Sequence, residues 1–126
     1  MNYVIDTDVL IDHIRGFRPA IQIIKDLEEE KIKGFVSAIT VAELFSGKDC
    51  NETQGIIAVE KLLNLVSKSE VSENLAKKAG ELKRLYEIEI PDAIIAATTI
   101  EKGFVLITRN KKDFEKIKEL KIKVPY

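Results

Sequence analysis

Four carboxylates stand where the chain could do chemistry: Asp6 in YVIDTDVLID, Glu43 in SAITVAEL, Asp92 in EIPDAIIAATT and Asp113 in LITRNKKDF. Each has an ordinary structural explanation. Asp6 or Thr7 can cap a following helix, with Asp8 favoured in its first turn by the helix dipole. Thr40 and Glu43 fit a capping box in which Thr40 is the N-cap. Asp92 follows Pro91, a residue suited to the first helical position, and Asn110 resembles an N-cap with Asp113 three residues on. Gathered in one place, the same acids need a different account, because two like charges ~4 Å apart repel by roughly 4 kcal/mol at an effective dielectric of about 20. A divalent cation removes that repulsion, and all-oxygen donors favour Mg²⁺ or Mn²⁺. His13 is the only histidine and Cys50 the only cysteine, so no zinc cluster competes; His13 reads as a solvated helix residue.

Short apolar, β-branched runs at residues 3–5, 35–39, 65–71, 104–107 and 122–124 read as the strands that would position these acids. Helical periods lie between them: Ala20, Ile24 and Leu27 on one face, then Ile56, Val59, Leu62 and Val66, then Leu75, Ala79, Leu82 and Tyr86. The segment from Ala93 to Ile100 is apolar nearly all round, which predicts a buried helix stopped by Gly103. Strands alternating with helices imply an α/β fold with a central, mostly parallel sheet covered on both faces. In such sheets ligands gather outside the carboxyl ends of the strands. Asp6 and the Asn110/Asp113 pair each follow a strand, Glu43 opens the helix after the second, and Asp92 opens the helix that feeds the fourth, so all can converge on one edge.

The 126 residues predict a single domain spanning 1–126, large enough to close a core without disulfides or a structural metal. The formal net charge is −1, so attraction for nucleic acid must come from a local basic patch. One cysteine excludes internal disulfides and points to a reducing, cytoplasmic setting. No signal-peptide pattern and no run approaching ~20 apolar residues is present, so no membrane association is expected.

The opening stretch admits three readings. Asp6-Thr7-Asp8-Val9 at a strand end resembles the first motif of haloacid-dehalogenase-type phosphatases, where the first Asp is the nucleophile. That family also uses an acidic pair late in the chain, and no Gly-Asp or Asp-Asp pair occurs past residue 104. A phospho-receiver needs an Asp ending its central strand, and LVSKSEV offers none. The third reading is a nuclease. Over essentially its whole length and in order, through YVIDTDVLID, TVAELFSG, PDAIIAATT and LITRNKKDF, the chain resembles PIN domains, specifically the VapC-type toxin ribonucleases of toxin-antitoxin pairs.

The resemblance implies a PIN-like three-layer α/β/α sandwich and a metal-dependent endoribonuclease that hydrolyses RNA with a metal-activated water. It carries Asp6, Glu43 and Asp92 over as catalytic residues and ligands of Mg²⁺ or Mn²⁺. The fourth acidic position is filled either by Asn110, where many relatives have Asp, or by Asp113. Glu43 or Asp113 would act as base. Thr7, Thr108, Arg109 and Asn110 are the candidates on the substrate side, the hydroxyls orienting carboxylates or water. Arg109, Lys111 and Lys112 are placed to meet RNA phosphates or to form a solvated helix start. The implied partners are a small VapB-like antitoxin and a second copy in a homodimer. Asn110 motivates the alternative, a PIN-fold binding module without catalysis.

Overall fold

The computed structural model describes residues Met1–Tyr126. In chain order the elements are β1 (Asn2–Ile5), α1 (Thr7–Ile14), α2 (Ile21–Glu28), β2 (Lys33–Ser37), α3 (Ala38–Phe45), α4 (Thr53–Leu63), β3 (Ser67–Ser69), α5 (Glu73–Tyr86), α6 (Ile90–Lys102), β4 (Val105–Ile107), α7 (Lys111–Phe114) and β5 (Ile122–Lys123). Short 3₁₀ turns lie at Arg18–Ala20 and Lys48–Asn51. The strands form one sheet in the order β3-β2-β1-β4-β5, and every pairing is parallel. No helix is long and apolar enough to cross a membrane.

The side-chain alternation of β1 divides the interior in two. Tyr3 and Ile5 enter a core with Val9, Leu10, Ile24, Leu27, Val59 and Leu62, contributed by α1, α2 and α4. Val4 enters the other, with Leu75, Ala79, Leu82, Ile95, Ala96 and Leu106, contributed mainly by α5 and α6. Period-two alternation in a strand covered on both faces gives this result, and it makes three layers, α/β/α. Each fully buried Leu or Ile contributes about 1.5–3 kcal/mol.

Several element boundaries differ from the sequence expectation. The run at 35–39 was expected to be wholly strand, yet β2 ends at Ser37. That residue's hydroxyl accepts the Ile39 N–H at 3.2 Å and starts α3 at once. Ser37 is therefore the N-cap, and Thr40, assigned that place by the capping-box pattern, lies inside α3 and is fully buried. The strand expected at 65–71 shrinks to Ser67–Ser69, because Leu65 and Val66 form the turn after α4 and Val66 packs into the core. Ile56, expected on the buried face of α4, is exposed. The buried helix and its stop are as expected: Gly103 adopts φ 70° at the end of α6, a left-handed conformation that glycine accepts without strain.

The start of α4 is packed tightly on the preceding 3₁₀ turn. A Cβ at Gly55 would lie 1.9 Å from the Asp49 carbonyl oxygen and 2.4 Å from its carbon. Backbone cannot swing aside as a side-chain tip can, so Gly55→Ala is expected to destabilise the fold by about 1–3 kcal/mol. Urea denaturation would read this as a lower midpoint at unchanged slope; a midpoint equal to the parent's would refute the close approach.

Candidate active site

The neighbours of β1 lead away in opposite directions, β2 toward β3 and β4 toward β5. The crevice beyond the carboxyl ends of β1 and β4 is therefore the switch point of the sheet, where open α/β folds hold ligands. Asp6 directly follows β1 and Thr108 directly follows β4. Their side chains meet there, with Thr108 Oγ1 donating to Asp6 Oδ2 at 2.7 Å across 102 residues of sequence. Asp6 occupies the N-cap position of α1 yet makes no capping bond with its side chain. Thr108 in turn accepts the Asn110 N–H at 2.9 Å, so the turn after β4 braces the hydroxyl that braces Asp6.

Glu43 is no capping residue either. Its Oε1 lies 2.7 Å from the hydroxyl of Thr7, which also stands 2.9 Å from Thr40 Oγ1. A hydroxyl has one proton, and the carboxylate is the stronger acceptor. Thr7 therefore donates to Glu43, and the Thr40 proton completes the contact between the two hydroxyls. Thr40 and Glu43 share a face of α3 because they are three residues apart. Asp92 sits half-buried in the first turn of α6, and Asn110 Nδ2 donates to Asp113 Oδ2 at 3.0 Å.

The charges of these acids reach one another. Burial pushes the Asp6 carboxyl up from 3.8 to about 7, with Asp8 and Asp92 adding repulsion against the opposing pull of the Thr108 hydrogen bond. Burial likewise raises Asp92 to about 6, followed by repulsion from Glu43, Asp113 and Asp8. Asp8 is raised by burial too, and its Oδ1 is a buried oxygen without a hydrogen-bond partner. The structure thus brings Asp6, Glu43, Asp92 and Asp113 into one electrostatic neighbourhood with Thr7, Thr108 and Asn110. No three His, Cys, Asp or Glu side chains already surround a single ion position. An all-oxygen set with an unpartnered buried carboxylate oxygen suits Mg²⁺ or Mn²⁺, which keeps several waters and needs few direct carboxylates.

Two expectations are revised. Arg109 is not a free cation: its Nε lies 2.7 Å from Asp12 Oδ2 and 3.9 Å from Asp8 Oδ2, while Lys111 and Lys112 are exposed. His13, expected to be solvated, is half-buried, and its Nδ1 is buried without a partner. The contact of Thr40 with Thr7, and both Asp12 and Tyr126, whose hydroxyl donates to Asp12, escaped the sequence reading. The spacing of Asp8 and Asp12, four residues apart on α1, was the available signal for Asp12. Nothing local marks Tyr126. Beside Glu43, a groove of about 460 Å³ runs between α1, α3 and α4, floored by Ile11, Ile14, Leu44 and Val59.

Relatives place the chain as a whole in a known setting. The chain is 30% identical over 122 residues to ribonuclease VapC19 of Mycobacterium tuberculosis, covering 93% of this chain and 95% of that one. It is 32% identical over 124 residues to ribonuclease VapC1 of Methanocaldococcus jannaschii, covering 96% and 85%. Its fold superposes on a toxin-antitoxin complex from Klebsiella pneumoniae with a TM-score of 0.81 at 31% identity, covering 98% of each chain. Residues 3–120 match the PIN domain, a span that runs from β1 to the turn before β5 and includes every acid of the crevice. Sequence and architecture agree over the same residues: the chain belongs to the PIN-domain family.

Proposed function

We propose that this protein is an endoribonuclease of the VapC toxin type, which hydrolyses exposed single-stranded RNA with its clustered carboxylates and Mg²⁺ or Mn²⁺. The observation that carries the reading is that Asp6, at the N-cap position of α1 without a capping bond, and Glu43, inside α3, are held by Thr108 and Thr7 from distant parts of the chain. A protein that needed only caps would not bury like charges together against repulsion. Asp6, Glu43 and Asp92 would hold the ion, which when bound supplies charge neutralisation at phosphate and a lowered pKa for water. Thr108 and Thr7 fix the carboxylate orientations. Glu43 or Asp113 accepts the proton of the attacking water. Asn110 holds Asp113 through its amide, doing as a neutral donor what a second carboxylate could not.

Family membership and relatives named as ribonucleases favour this reading over an aspartyl-nucleophile phosphatase or an inactive module. The Klebsiella complex supports a small VapB-like antitoxin as partner. The groove beside Glu43 has the apolar floor an amphipathic segment would cover, with Arg15 and Lys48 at its rim. The same kinship supports a homodimer, acting in the cytoplasm as a single catalytic domain.

Incubation of the purified chain with single-stranded RNA and Mn²⁺, followed by mapping of the ends, tests the activity. Fragments with 5′-phosphates are expected, cleavage should survive a 2′-deoxy substitution at the cut position, and EDTA should stop it. Cyclic phosphate ends would reject water as nucleophile, and intact RNA would reject the reading.

A further inference from the structure

Arg109 is held by a relay that no catalytic carboxylate requires. Its Nε meets Asp12 Oδ2 at 2.7 Å, and the hydroxyl of Tyr126 donates to that same oxygen. The Tyr126 ring is in turn set edge-on against Phe17, with centroids 5.2 Å apart. Asp12 is largely buried, its side chain 15% exposed, whereas that of Arg109 is 47% exposed. The guanidinium is thus held as an ion pair through its Nε edge, and its side chain remains half exposed, with donors on the two terminal nitrogens beyond that edge. Asp8, one turn before Asp12 on α1, lies 3.9 Å from the same Nε, which puts the guanidinium at the rim of the acidic crevice.

An arginine fixed through Nε keeps its planar fork free for a phosphate, and the fork geometry matches two phosphate oxygens at once. Fixing it in the free protein removes rotamer freedom that binding would otherwise cost. Lys111 and Lys112, exposed and without ion pairs, offer only mobile point charges by comparison. The geometry points to Tyr126 and Asp12 as positioning residues that hold Arg109 as a preorganised clamp for an RNA phosphate next to the one being cut. The inference rests on the ribonuclease reading and names the group that would orient the strand in that site.

The test is a double-substitution cycle on the full chain. Binding of a short single-stranded RNA oligonucleotide is followed by fluorescence anisotropy in EDTA, and KM and kcat for the same RNA are measured with Mn²⁺. Tyr126→Phe keeps the ring and its contact with Phe17 while removing one hydrogen bond. It is expected to raise both Kd and KM roughly three- to tenfold, with kcat little changed. Arg109→Ala should weaken binding and lower the salt dependence of log K by about 0.7. In the Arg109→Ala background Tyr126→Phe should then change nothing, since the side chain through which it acts is gone.

Additive effects would show a merely structural role for Tyr126, and a Tyr126→Phe protein with the parent's Kd and KM would remove the relay outright. Either result leaves the ribonuclease reading standing if the parent cuts RNA. A parent that binds RNA through the relay without cutting it would fail that reading alone, and one that neither binds nor cuts would end both.

Discussion

Asp6→Asn and Asp92→Asn are each expected to lower RNA cleavage by at least about a hundredfold without loss of the fold. The size follows from removing a charged group that acts on the reacting centre, an effect typically on the order of 10²–10⁴ in rate. Asparagine is nearly isosteric with aspartate, and at position 6 its carbonyl oxygen can still accept the Thr108 hydroxyl that now bonds Oδ2. What disappears is the negative charge that a divalent cation would need. Initial rates at saturating Mn²⁺, with circular dichroism to verify folding, decide the matter. Cleavage within about threefold of the parent by either variant would mean that the crevice is not where RNA is cut.

The second large effect concerns stability, and it runs opposite to the usual behaviour of paired carboxylates. Asp6 is raised to about 7 and Asp92 to about 6, each chiefly by burial, from an ordinary value of 3.8. A carboxyl whose folded-state pKa exceeds its unfolded value binds more protons folded than unfolded. Its contribution to stability is therefore complete below about pH 4 and is lost as pH rises through 6 and 7. For Asp6 the difference corresponds to on the order of 4 kcal/mol between its two protonation states. The metal-free protein is expected to melt about 5–10 °C lower at pH 8 than at pH 5. Saturating Mn²⁺ should restore most of that loss at pH 8 and add little at pH 5, where protonated acids bind it poorly. Asp6→Asn should raise the metal-free melting temperature at pH 8 while abolishing activity, a trade of stability for function. Calorimetric scans across this range provide the check; a melting temperature that stays level or climbs from pH 5 to 8 without metal would contradict the crowded-carboxylate account.

Much of this architecture was legible because its signals are local. The apolar runs at 3–5, 104–107 and 122–124 overlie β1, β4 and β5, and the periods through Ala20, Ile24 and Leu27 and through Leu75, Ala79 and Leu82 mark faces that are indeed buried. Local rules erred where two competed. Ser37 and Thr40 are both good N-caps, and the choice between them depended on where β2 ran out of partners. Ile56 and Val66 fitted one helical stripe, yet α4 ends at Leu63, so Val66 reaches the core from a turn and Ile56 does not reach it at all.

For the crevice, sequence alone determined which side chains carry charge, that Asp6 follows a strand and Asp92 and Asp113 open helices, and that a parallel sheet would send the acids to one edge; Glu43, expected at a helix start, lies inside α3. Spacing along the chain has no access to what happened next. Capping and catalysis draw on the same residue types at the same positions, and only the meeting of β1 with β4 and of α1 with α3 turned Asp6 to Thr108 and Glu43 to Thr7. The hold on Arg109 is further still from local reach, since Tyr126 and Asp12 are 114 residues apart and neither carries a pattern that names the other. Hydrogen bonds and desolvation act over a few ångströms in space, and which groups fall within that distance is a property of the folded chain.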